Sequence, residues 1–231
     1  MESQAQTIAQ WIEKQPEDKI LTANQIYAQM PKDISEATFY QALTRMVKRK
    51  KLCHLTKGLY YRPRRSRFGL IPLGETTIVQ HYTDNKQGMV IGYRLYQQLG
   101  ITTQISKNVE ILSNAVQDNK KTIQNVKVNR LELRFTEPIR YAIATLELLQ
   151  NYSKIEDINR RSMAKYMKRF AENYSEEAVK TVLKKRRYKK STIAFLAMFL
   201  TFWKVKHTLH EYLSALSVYA IPRMEEFYES A

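Results

Sequence analysis

The chain has 231 residues, a formal net charge of +16, 44% hydrophobic residues, six Gly, six Pro and a single Cys. That apolar content supports a packed core and argues against disorder, one cysteine excludes an intramolecular disulfide, and the longest apolar run, Ile193 to Trp203, is 11 residues, well short of the ~20 that a spanning helix needs. Membrane attachment is therefore not expected, the natural partner of so much positive charge is a polyanion, and the length calls for a second domain behind any small nucleic-acid module.

From the start, Gln4 to Glu13 reads as a helix with Ile8, Trp11 and Ile12 inward, broken at Pro16. Thr22 is the expected N-cap of a short second helix, with Gln25 completing a capping box, Ile26 and Met30 on one face, and Pro31 as the stop. Pro31 to Ile34 is then a turn. Ser35 caps a third helix with Glu36 in its first turn, where a negative charge suits the helix dipole. Phe39, Leu43, Met46 and Val47 recur at helical spacing and face inward. The opposite side carries Ala37, Thr38, Gln41, Thr44, Arg45 and Lys48. Such a row can read bases, since Gln pairs with adenine, Arg with guanine, and Thr and Ala methyls meet thymine in a major groove wide enough for a helix. A solvated helix face has the same composition, so the row alone does not decide.

The next segment tips the balance toward DNA. Leu52 to Thr56 and Leu59 to Arg62 read as two strands joined at Lys57-Gly58, a hairpin of the kind that forms the wing after a recognition helix. Between Arg45 and Arg67 stand ten Lys or Arg and no Asp or Glu. Lys48, Arg49, Lys50, Lys51, Lys57, Arg62, Arg64, Arg65 and Arg67 are the expected phosphate contacts, with Ser35 at the start of the reading helix. Residues 1–66 are thus expected to form a winged helix-turn-helix DNA-binding domain. The domain boundary is expected near Ser66.

Residues 67–231 are expected to form a larger domain, mixed α/β over 67–136 and helical over 137–231, so the fold class is α+β. Gly88 to Gly100 reads as a strand or turn leading into a short helix capped by Gly100. Val109 to Ser113, Thr122 to Val128 and Leu131 to Phe135 read as strands of a small mixed sheet. After Pro138 come helices over Ile139 to Tyr152, Asp157 to Tyr174, Ser175 to Arg186 and Ser191 to about Val218. The third begins with Ser175, Glu176 and Glu177 and ends with Lys184, Lys185, Arg186 and Arg187, the polarity that the helix dipole favours. Together with Lys189 and Lys190 these bases are either a charged helix end or a second nucleic-acid contact.

The segments FGLIPLGETTIVQHYT, GMVIGYRLYQQLGITTQISKNVEILSN and TIQNVKV, following a start that ends LTKGLYYRP, resemble the AbiEi family of antitoxins and transcriptional regulators over roughly Thr22 to Phe135. The resemblance implies an N-terminal winged helix that binds inverted repeats in its own operon's promoter, and a C-terminal domain that aids repression and counteracts a nucleotidyltransferase-like toxin. On that reading Ser35 to Lys51 take the recognition role and Lys57 the wing role. The partner is double-stranded DNA, bound by two copies of a monomer or by a homodimer. The polar opening MESQAQ and the lone Cys53 fit a cytoplasmic protein.

An enzyme is the rival class. His207 and His210 in HTLHE, with Glu211, are spaced to share a metal if helical, but no second cluster accompanies them. No phosphate-loop, dinucleotide or nucleophile-elbow motif occurs, so neither cofactor, metal nor catalytic residue is expected. An RNA-binding or toxin-binding module without sequence-specific DNA recognition is the other alternative.

Overall fold

The computed structural model describes residues 3–214 and 216–224. The chain divides into two compact units, 1–81 and 82–231, and its class is α+β. No helix among the described residues is long and apolar enough to cross a membrane.

In the first unit α1 (Gln4–Glu13) opens with a capping box the sequence reading did not use: the Ser3 hydroxyl accepts from the Gln6 amide while the Gln6 side chain accepts from the Ser3 amide. Then follow β1 (Ile20–Thr22), α2 (Ala23–Tyr27), α3 (Glu36–Lys48), β2 (Cys53–Thr56) and β3 (Leu59–Tyr61). Ile8 and Ile12 of α1, Ile26 of α2, and Phe39, Leu43 and Met46 of α3 bury against one another with Leu21, Ile34 and Leu52. That closes the core the helical spacings predicted. Strand β3 pairs with β2 on one side and β1 on the other, all antiparallel. The order helix, strand, helix, helix, hairpin on a three-stranded sheet is consistent with the winged helix-turn-helix expectation.

The capping box expected at Thr22 does not form, because Thr22 is the last residue of β1 and its side chain makes no cap bond. Instead the Gly58 carbonyl at the hairpin turn accepts from the Ala23 amide at 2.9 Å, so the hairpin supplies part of what the cap would have. Gly58 itself has φ +74°, the left-handed backbone that the turn requires.

The expected boundary near Ser66 falls inside a two-stranded ribbon, β4 (Arg65–Ser66) and β5 (Gly69–Leu70). A helix the sequence reading lacked, α4 (Glu75–Thr83), follows, and the two units divide within it, after His81. The first unit therefore runs about fifteen residues beyond the expected boundary.

The second unit holds β6 (Gly88–Ile91), α5 (Tyr93–Gln98), β7 (Val109–Ser113), β8 (Lys120–Ile123), β9 (Val126–Arg130), then α6 (Glu137–Asn151), α7 (Arg160–Glu172), α8 (Glu176–Lys185) and α9 (Lys190–Phe202). The sheet order is β6-β7-β9-β8, with β7 and β9 parallel and the outer pairs antiparallel. Its mixed character was expected; its segmentation differs. Thr122 to Val128 is broken by a turn at Gln124, which has φ +52°, so two strands stand where one was expected. Leu131 to Phe135 is not a strand but the connection into α6. Gly88 is where this unit tolerates no side chain: a Cβ there would lie 2.3 Å from the Tyr82 carbonyl and 2.4 Å from that of Leu112.

The last helix is shorter than expected, ending at Phe202 rather than near Val218. Its stop is a Schellman motif: the Lys204 amide bonds the Thr201 carbonyl and the Val205 amide bonds the Leu200 carbonyl, with Lys204 at φ +56°. Helix α3 ends the same way, with Lys50 at φ +58°, its amide on the Val47 carbonyl and the Lys51 amide on that of Met46. In both helices a lysine holds the position that glycine usually takes, which hides the stop from a sequence reading.

Candidate nucleic-acid interface

Ser35 caps α3 by accepting from the Thr38 amide at 3.2 Å, and the two hydroxyls lie 2.9 Å apart. The Thr44 hydroxyl donates to the Tyr40 carbonyl at 2.8 Å. Of the expected base readers, these three hydroxyls therefore have partners within the helix. Ala37, Gln41, Arg45 and Lys48 are exposed along one face, which spans roughly 16 Å of helix axis. Among the described residues, Gln41, Arg45, Lys48 and Arg49 make no side-chain ion pair or hydrogen bond. Tyr40, exposed on the same side and edge-on to Phe39 at 5.3 Å, joins this face. The sequence reading passed over it, although position 40 lies three residues beyond Ala37 and four before Thr44.

Lys57 is exposed at the tip of the β2–β3 hairpin beside Gly58. On β2 the exposed His54 ring stands 5.1 Å from Tyr60 of β3. Burial, and then the neighbouring Tyr40 hydroxyl, raise the Tyr60 pKa.

The remaining expected phosphate contacts separate into two groups. Lys51 makes an ion pair with Glu13 at 2.7 Å, a hydrogen bond and charge that together lower the Glu13 pKa. Arg62 donates to the Gln15 carbonyl, Arg64 pairs with Asp18, and Arg65 donates to the Lys50 carbonyl at 2.8 Å. These four side chains brace the unit; the guanidinium on the Lys50 carbonyl fixes the base of the β4–β5 ribbon at the carboxyl end of α3. Lys50, Lys51, Arg62, Arg64 and Arg65 also line a cleft of about 570 Å³ with only Glu13 and Glu17 as acids. Lys50 and Arg67 are exposed. The sequence located the charge but gave no sign of which bases had internal partners.

In the second unit the run Lys184 to Lys190 is likewise divided. Arg186 donates from Nε to Glu147 Oε1 at 2.8 Å, and the Glu147 side chain is only 5% exposed. Burial opposes the charge on Arg186, but the Glu147 carboxylate outweighs it and the guanidinium pKa rises. Lys184, Lys185, Arg187, Lys189 and Lys190 are exposed. Arg186 thus belongs to the core rather than to a basic surface.

The pair considered for a metal is not helical: α9 has ended before His207, which sits in a connection, while His210 lies in a single 3₁₀ turn. His207 Nε2 is 3.0 Å from the Thr201 hydroxyl, and Nδ1 accepts from the Leu209 amide at 3.3 Å. Among the described residues no group of three or more His, Cys, Asp or Glu is placed to hold a metal.

No curated protein matches this sequence. One family model does, over residues 7–190, which takes in both units and stops at the first residue of α9. With that much of its length matched, the chain belongs to the family of unknown function DUF6088.

Proposed function

We propose that the chain is a sequence-specific DNA-binding repressor that acts as the antitoxin of a type IV toxin-antitoxin system, binding inverted repeats in the promoter of its own operon. The first unit is a winged helix-turn-helix in this reading. The observation that carries it is the open face of α3, where Gln41, Arg45 and Lys48 stand exposed and without internal partners, in the same unit as a hairpin with Lys57 exposed at its tip. Polar side chains held on a rigid helix with their donors unspent are suited to base edges in a major groove. Lys48, Arg49 and Lys50 follow the groove's phosphates, and Lys57 reaches the backbone from the wing. The resemblance to AbiEi proteins over Thr22 to Phe135 supplies the link to a nucleotidyltransferase-like toxin, and the lone Cys53 supports a cytoplasmic setting.

The test is a titration of the full chain on the duplex upstream of its own gene, against a scrambled duplex, at several salt concentrations. Tight binding that survives competitor and maps to a repeat is the expected result. Equal binding to both duplexes would overturn the repressor reading, and preference for single-stranded or A-form RNA would replace it with an RNA-binding one. Lys57→Ala should weaken binding to specific and random duplex alike and reduce the salt slope by about one phosphate contact. An unchanged slope would take the wing out of the interface.

A further inference from the structure

The β4–β5 ribbon ends in a two-residue tip, Arg67-Phe68, between the paired residues Ser66 and Gly69. Phe68 is 86% exposed, and the Arg67 guanidinium lies over its ring at 4.7 Å. Turn chemistry does not account for a phenylalanine there. Neither tip residue has a positive φ, because Gly69 takes that conformation at φ +122°, so the backbone leaves the tip's identity open. A large apolar side chain at the most solvated point of a basic segment costs solubility and contributes nothing to the core.

The tip is also held still. The Ser66 hydroxyl donates to the Gly69 carbonyl and accepts from the Phe68 amide at 3.1 Å, while the Ile71 amide bonds the Arg64 carbonyl at 2.9 Å. Arg65 ties the ribbon's base to the Lys50 carbonyl, two residues beyond Lys48 at the end of the open face. Arg67 alone stands against the ring, Arg64 and Arg65 being engaged by Asp18 and the Lys50 carbonyl at the ribbon's base, and no acid follows in the sequence before Glu75.

We propose that the Arg67-Phe68 tip is a second DNA-contacting prong, in which Arg67 enters the minor groove flanking the site read by α3 and Phe68 wedges against a base step there. The idea rests on the DNA-binding reading and adds the groove and the chemistry of contact. An arginine favours the narrow, strongly negative minor groove of A·T-rich DNA, and an apolar wedge is the usual means of partly unstacking a step and bending the duplex. The prong therefore favours A·T pairs at the flank and bends the DNA. An exposed aromatic stacked under an arginine suits a flat base bordered by phosphates better than it suits an uncharged protein surface.

The experiment compares wild type, Phe68→Ala, Phe68→Trp and Arg67→Gln on the promoter duplex, with 2-aminopurine placed at successive flanking steps and donor and acceptor dyes at the duplex ends. Wild type should change 2-aminopurine fluorescence at one flanking step and shorten the end-to-end distance. Phe68→Ala should lose both signals and about tenfold in affinity, Phe68→Trp should keep them, and Arg67→Gln should lose the flank's A·T preference. Since Phe68 is exposed, the variants should melt as wild type does. Unchanged affinity and unchanged signals in Phe68→Ala would overturn the prong while leaving α3 as the reader. A wild type that binds no duplex preferentially would overturn the DNA reading and the prong with it. Self-association that Phe68→Ala abolishes, with no 2-aminopurine response in wild type, would replace the prong by a contact between copies of the chain.

Discussion

The two basic runs, Arg45 to Arg67 in the first unit and Lys184 to Lys190 in the second, look alike in sequence and do different work. In the second, Arg186 reaches a buried carboxylate of α6, and Lys184 and Lys185 sit where the dipole of α8 welcomes positive charge. Folding accounts for much of that run. In the first, Lys51, Arg62, Arg64 and Arg65 have internal partners, yet Arg45, Lys48 and Arg49 are left over with Gln41 beside them. Arg187, Lys189 and Lys190 of the second run are exposed as well, but they lie at the connection into α9, whereas the charge left on α3 stands with Gln41 along one exposed helix face.

Changes at five positions sharpen or break this contrast. The largest effect should come from Glu147→Ala, which strands a half-buried Arg186: about 3 to 5 kcal/mol of stability lost, read as a lower urea midpoint with an unchanged m-value. A loss under about 1 kcal/mol would return Arg186 to the basic surface. Next is Arg45→Ala, expected to cost about 1 to 3 kcal/mol of specific DNA binding with stability untouched. An equal loss on random duplex would make Arg45 a phosphate contact instead.

Glu176, at the start of α8, gives the acid counterpart to the basic end of that helix. Burial works against its charge, but hydrogen bonds from Thr208, Tyr174 and Lys180 prevail and hold its pKa down to about 2. A carboxyl depressed in the fold contributes stability above its unfolded value of 4.5, and that contribution fades as pH falls from there through 2. Glu176→Gln should therefore lower stability at pH 7 and flatten the acid limb between pH 4.5 and 2, with the gap between the two proteins closing at the acid end. The smallest effect is assigned to Lys184→Gln with Lys185→Gln: a few tenths of a kcal/mol each from the dipole, and an unchanged DNA salt slope. A slope reduced by about two contacts would make the second run a nucleic-acid surface after all.

Much of the first unit was legible because its signals are local. The apolar spacing of α1 and α3, the Ser35 cap and the Lys57-Gly58 turn each act within a few residues. Strand β1 was not, since Ile20–Thr22 is too short to show a period and becomes a strand only by pairing with Leu59–Tyr61, nearly forty residues away. Helix α4 begins at Glu75 with only Gly74 to announce it, and its sides differ little in polarity. At the candidate site the exposed face of α3 was readable from the helical spacing, except that Tyr40, an aromatic on that side, carried no signal that set it there. Which arginines had internal partners was unreadable, because Gln15, Asp18 and Glu147 lie 39 to 47 positions away along the chain.

The two lysine-ended helices carry an implication for sequence drift. A lysine at φ near +57° is strained by about 1 to 2 kcal/mol relative to the glycine that normally fills such a stop. At position 204 no ion pair or hydrogen bond among the described residues engages that side chain, so family members should drift freely toward Gly or Asn there. At position 50, two residues past the end of the open face, drift to glycine would gain stability but remove the phosphate contact proposed for that lysine. If the first unit binds DNA as proposed, lineages that keep that binding should retain Lys or Arg at 50, and a sequence with Gly at both positions would mark a member expected to bind duplex DNA more weakly.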